Sequence, residues 1–170
     1  SHFCALGHDA RDIHCNNEYL QKTWAKENNM PVLDTKKWRF YLKRGFIPWI
    51  DRAEAHEWFY QILGAQVKKF RPDILINHDP AAISSRFLSE MKPYVRFIVG
   101  QIASAIPTQT DFKVYDLMIS SLPNLVTYFR KRGVQAQSQR LAFEPRILES
   151  LSKGDKDIPV SFVGSLFSGH

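Results

Sequence analysis

The chain has 170 residues, 44% of them hydrophobic, enough to bury one ordinary core with little left for a second. No apolar run approaches the ~20 residues of a membrane-spanning helix, and no basic start followed by a long apolar stretch marks a secretory leader. Cys4 and Cys15 are too few for a disulfide framework and read as buried free thiols of a cytoplasmic protein.

The net charge of +6 is placed unevenly: 9 Lys/Arg face 3 Asp/Glu between Lys36 and Arg71, and the rest of the chain holds 14 of each sign. Leu6-Gly7-His8 reads as a helix stop and Ala10 to Cys15 as a short strand. Asn16 or Asn17 then caps a helix with Tyr19, Leu20, Thr23 and Trp24 as its stripe. Cys4, His8, His14 and Cys15 lack the close pairing of a zinc module, so they read as core and turn residues and no metal is expected.

Pro31 to Ile50 shows neither helical nor strand period. Gly45 and Pro48 interrupt it, and it reads as a loop with short helical pieces. Asp51 with Glu54 reads as a capping box with Asp in the Ser/Thr position. It opens a helix over Glu54 to Phe70, with Phe59, Leu63, Val67 and Phe70 on one face. The same region concentrates aromatics, among them Trp38, Phe40, Tyr41, Trp49 and Trp58. Three readings of this basic-aromatic stretch stay open. It is an insertion with buried rings and solvated cations, a face laid on an anionic membrane surface, or a phosphate-binding surface. No nucleic-acid motif accompanies it, so no specific nucleic acid is expected.

Pro72 ends the helix, and Asp73 to Asn77 reads as a buried strand. Asp79-Pro80 starts a helix with Ile83, Phe87, Leu88 and Met91 buried, and Lys92-Pro93 stops it. Val95 to Val99 is the next strand, followed by a loop from Gly100 to Thr110 and a strand over Leu117 to Ile119. Pro123 suits the first helical position, Leu125, Val126 and Phe129 fall at helical spacing, and Gly133 stands where a left-handed cap belongs. Arg130, Lys131 and Arg132 crowd the last turn, where the helix dipole favours cations. Gln135 to Leu141 forms a further strand. Helices alternating with short apolar strands predict an α/β, Rossmann-like doubly wound fold, with a mainly parallel sheet and helices on both faces. Residues 1–157 form this domain. Lys153 to Asp157 reads as a hinge, and 158–170 as the hinge end and first strand of a second domain.

Ligands of open α/β sheets bind beyond the carboxyl ends of the strands. That rule selects Asn77, His78 and Asp79; Gly100, Gln101 and Ser104; Ser120 and Ser121; and Phe143 with Glu144. These groups are polar and mostly neutral, which suits a sugar or another hydroxylated acceptor. His78 is the candidate catalytic base, with Asp79 beside it; the plainer reading makes Asp79 a helix cap and His78 a turn residue. Gly100 is a single glycine, not a dinucleotide fingerprint. Ser120-Ser121 either cap the following helix or bind an anion through its free N–H groups.

The stretch from Tyr115 to Pro145 (YDLMISSLPNLVTYFRKRGVQAQSQRLAFEP) resembles the end of the N-terminal half of a GT-B-type glycosyltransferase. The segments ALGHDARDIHCNNEYLQKTWAKEN, FRPDILINHD, VGQIAS and VSFVGSL agree in order. The group most similar is the spore-maturation-type (CgeB-like) glycosyltransferases. The resemblance implies an acceptor-side domain whose partner is a C-terminal nucleotide-sugar-binding domain, and a first strand preceding this sequence. It further implies an open central strand position that favours self-association, and a chain inactive alone. Acceptor contacts fall on Asn77, Asp79, Gly100, Gln101, Ser104, Ser120, Ser121 and Glu144, and the edge of the donor domain on Gly164 and Ser165. No tightly bound cofactor is implied; a nucleotide-sugar is the donor substrate. In many such transferases an acid/base residue stands at the position of Gln101, and an amide cannot transfer a proton there. The alternative function is a non-catalytic Rossmann-like binding module for an anionic partner. Both place the protein in the cytoplasm, the second at the inner face of a membrane.

Overall fold

In this computed structural model the described residues are 2–32, 36–43, 47–54, 57–140, 142 and 146–151. Helix α1 (His2–Ala5) is a single turn stopped at Gly7, whose φ is 88°. The Gly7 N–H reaches the Cys4 carbonyl and the His8 N–H that of Phe3, each at 3.0 Å, the paired bonds of a Schellman stop. No strand follows between Ala10 and Cys15, a departure from the sequence expectation. There the Cys15 N–H turns back to the Ile13 carbonyl and the Asn17 N–H to that of His14, so the backbone closes on itself instead of offering a ladder. Cys4 is exposed and Cys15 half-buried; neither is the buried thiol expected.

Helix α2 (Glu18–Glu27) is capped by Asn17, whose Oδ1 accepts from the Leu20 N–H at 3.1 Å. Its buried residues are Gln21 and Ala25, not the expected stripe: Tyr19 is 79% and Leu20 47% exposed. The inward face is set by where Ala25 meets Trp58 and Ile62, one position round from the most apolar one.

The region read as a loop is a hairpin. Strand β1 (Lys36–Lys43) pairs antiparallel with β2 (Ile47–Glu54), in a register running from Lys36 opposite Glu54 to Lys43 opposite Ile47. The two form their own sheet. Pro48 fits because each strand of a two-stranded ribbon has an open edge for a residue that cannot donate. Asp51 and Glu54 lie in β2, opposite Arg39 and Lys36, so they form no capping box. Helix α3 accordingly begins later, spanning Glu57–Phe70. Trp58 and Ile62 pack toward Ala25 of α2, whereas Leu63 and Val67 join the main core. Arg71, at φ 43°, closes the helix with its N–H 2.8 Å from the Val67 carbonyl, and Pro72 prevents continuation.

Then comes the parallel sheet. Strands β3 (Ile74–Asn77), β4 (Phe97–Gln101), β5 (Leu117–Ser120) and β6 (Ala136–Ser138) lie in that order, all parallel. Helix α4 (Ser85–Met91) joins β3 to β4, and α5 (Pro123–Lys131) joins β5 to β6. This is the α/β, Rossmann-like parallel sheet with flanking helices that the alternation predicts. Ile98 and Met118 face one side of the sheet and are fully buried, against α4 and α5 residues Leu88, Leu125 and Phe129; on the opposite parity Ile74 and Phe97 are exposed, whereas Val99 is buried. Helix α5 ends in a second Schellman stop: Gly133, at φ 75°, donates to Arg130 and Val134 to Phe129. Val134 and Phe129 are both buried, the apolar contact that accompanies such a stop.

Helix α4 starts at Ser85, five residues beyond Pro80, because Ser84 Oγ caps it by accepting from Phe87 N–H at 3.2 Å. Its expected buried set, Ile83, Phe87, Leu88 and Met91, is the observed one. The chain divides into two compact units, Ser1–Gln139 and Arg140–His170. In the second, the described secondary structure is α6 (Arg146–Ser150).

Candidate functional site at the carboxyl edge of the sheet

The register that sets Asn77 opposite Gly100 brings the next residues, His78 and Gln101, side by side. Their side chains meet, with His78 Nδ1 2.6 Å from Gln101 Oε1. Both line a cleft of about 240 Å³ whose walls are the turn at Asp79, Pro80 and Ala81 and the loop carrying Ser104 and Pro107. Ile102, buried at the end of β4, contributes an apolar lining.

The two walls are fastened to each other. Thr110 Oγ1 donates to the Pro80 carbonyl at 3.1 Å, and the Asp111 N–H donates to Ser85 Oγ at 3.0 Å. From behind, the Ser84 N–H reaches the Tyr60 hydroxyl at 3.0 Å. Such bonds hold the loops at fixed separation, which a cleft on short connections needs if it is to be formed before a ligand arrives.

Asn77 lies beneath the cleft, not in it. Its Nδ2 donates to the Tyr115 hydroxyl at 2.8 Å, and its Oδ1 accepts from the Asp79 N–H at 3.0 Å. Both atoms of this buried amide are thus committed to shaping the turn. Tyr115 is buried too. Burial pushes its phenol up to about 12 from 10.0; the Asn77 bond pulls it down and the Asp79 charge raises it further. The phenol is therefore a neutral structural group at neutral pH. Asp79 Oδ1 accepts from the Ala81 and Ala82 N–H groups at 3.0 and 3.2 Å, closing the turn that Pro80 begins. Its capping role is real, but it caps this turn and not helix α4.

The remaining strand-end residues separate. Gly100 is a packing glycine: a Cβ there would stand 2.5 Å from Met118 Sδ and 2.8 Å from Tyr115 Cδ1, so its bare face meets the core. Ser120 is buried and its Oγ accepts from the Leu122 N–H at 3.1 Å. Helix α5 has no side-chain cap, so neither alternative for Ser120-Ser121 as a pair describes the bond Ser120 makes. Ser121 is half-buried and outside the cleft lining. Phe143, Glu144, Gly164 and Ser165 lie outside the described residues. The cleft thus gathers His78, Asp79, Gln101 and Ser104. Tyr115, Thr110 and Ser85, which shape it, carry no sequence signal: each acts over 26 to 38 positions, and no local pattern marks such a bond.

Among the described residues no group of three or more His, Cys, Asp or Glu is placed to hold a metal ion, and no helix is long and apolar enough to cross a membrane. Compared with known proteins, the chain matches no family model, no curated protein and no solved structure.

Proposed function

We propose that this chain is the acceptor-side domain of a GT-B-type glycosyltransferase, which moves a sugar from a nucleotide-sugar to a hydroxylated acceptor, and that the cleft at His78 and Gln101 holds the acceptor. The observation that carries the reading is the bond joining the ends of β3 and β4 at the mouth of a fastened cleft. Its polar groups are an imidazole, a carboxamide, a hydroxyl and one carboxylate, whose Oδ1 is taken by two backbone donors. Such a set offers directional hydrogen bonds with no net cationic charge, which favours hydroxyls over phosphates. The volume lies below the ~300–1,000 Å³ of most small-molecule sites, so it suits one ring or the end of a longer acceptor.

In this reading the donor nucleotide-sugar is held by a second domain, and the chain by itself binds acceptor without turning over donor, because transfer needs both reactants in one geometry. Ligand-observed NMR with a panel of sugars and polyols tests it. Binding that weakens in both His78→Ala and Ser104→Ala supports the proposal.

A second reading has its own observation. Within the basic-aromatic stretch, β1 and β2 form a separate two-stranded sheet, a candidate surface for an anionic membrane. A silent sugar panel, together with binding to anionic vesicles that is lost on reversing charges at Lys36, Lys37 and Arg39, would favour it over the acceptor site.

A further inference from the structure

Gln101 cannot move a proton, yet its place beside His78 has a chemical consequence. A carboxamide oxygen carries lone pairs and no hydrogen. The contact between Gln101 Oε1 and His78 Nδ1 at 2.6 Å is therefore a bond only when Nδ1 holds the hydrogen. In a neutral imidazole the other nitrogen, Nε2, is then bare and accepts. No group bonds Nε2 among the described residues, and the ring lines the cleft.

The arrangement is held from behind. Asn77 and Asp79 on either side of His78 are tied by the 3.0 Å bond from the Asp79 N–H to Asn77 Oδ1. Gln101 follows Gly100, whose position is fixed by close approach to Met118 and Tyr115. Neither partner of the pair is free to slide along its strand.

We infer that Gln101 is a positioning residue: it holds His78 in the Nδ1–H tautomer and so makes Nε2 a hydrogen-bond acceptor for a hydroxyl donor in the cleft. The ligand class this selects is a polyol or sugar hydroxyl. A carboxylate or phosphate oxygen at the same point would set one acceptor against another. The ligand half deepens the acceptor-site proposal and rests on it; the tautomer stands on the geometry alone.

Long-range nitrogen–proton NMR of the ligand-free protein, with the ring neutral, separates the two. The expected spectrum shows a protonated Nδ1 and a bare Nε2. Gln101→Leu removes the acceptor and moves the hydrogen to Nε2, the form an unrestrained histidine favours; Gln101→Glu keeps an acceptor and keeps Nδ1–H. Position 101 lines the cleft, and the amide spectrum confirms that each variant is folded. A wild-type neutral ring carrying Nε2–H would mean that the amide nitrogen faces it, and overturns the inference. So does a Gln101→Leu ring identical to wild type. For a sugar that binds, Gln101→Leu is expected to weaken affinity roughly tenfold, the value of one net hydrogen bond, with Gln101→Glu recovering most of it. If the tautomer behaves as expected and no sugar or polyol binds any of the three proteins, the ligand half fails and the positioning role stands.

Discussion

Replacing Tyr115 by Phe isolates a single buried hydroxyl beneath the cleft. Asn77 Nδ2 loses the acceptor it reaches at 2.8 Å, and a buried donor left unpaired costs about 1–3 kcal/mol. The variant should therefore be less stable than wild type by that amount at neutral pH. Alkaline pH changes the comparison. The folded phenol titrates at about 12, against 10.0 when unperturbed, so the folded state holds its proton more tightly than the unfolded chain. This contribution is fully present below pH 10.0 and is lost as pH rises through about 12. Two pH units at about 1.4 kcal/mol each make the loss about 3 kcal/mol, an order-of-magnitude value. The Phe variant has no such group, and the other titrating residues are common to both proteins and cancel in the difference. Urea unfolding of the pair over a pH series should show the wild-type advantage shrinking above pH 10.0 and reaching zero or reversing sign near pH 12. A difference that stays constant over that range would refute the buried, raised phenol and with it the packing beneath His78.

Two further substitutions follow from the backbone. Gly100→Ala places a methyl against Met118 Sδ and the Tyr115 ring, both buried; it should cost about 1–3 kcal/mol as overpacking, read as a lower urea midpoint at unchanged slope, and a variant as stable as wild type would contradict the close approach. Gly133→Ala meets nothing within 4 Å, so its cost is the left-handed backbone alone, about 1–2 kcal/mol, and Gly133→Asn should cost less because Asn tolerates that conformation.

The parallel sheet was legible because its strands are short apolar runs ended by polar or turn residues. Pro123 and Gly133 bracket α5 with chemistry that has few alternative uses. The hairpin was not legible. Trp38, Phe40 and Leu42 alternate with Lys37, Arg39 and Tyr41, but the aromatic Tyr41 blurs the period and Pro48 reads as a breaker where a ribbon edge accepts it. Asp51 and Glu54 have the spacing of a capping box, and cross-strand pairing overrode it. Asp79-Pro80 carries the same ambiguity: Asp-Pro opens a turn as readily as a helix, and Ser84 supplied the real cap. At the site, position after a strand places His78 and Gln101 side by side, since register makes consecutive parallel strand ends neighbours. The same rule does not show which strand-end residues face inward: strand parity turns Gly100 and Ser120 into the core.

The central claim is that ligand binds at the carboxyl edge of β3 and β4. Amide chemical-shift mapping with a sugar or polyol that binds tests it most directly. The account predicts that the largest changes cluster at His78 to Ala81 and at Gln101 to Pro107, with the His78 ring among them. Changes clustered instead at the amino edge, around Asp73, Phe97 and Asp116, would contradict it.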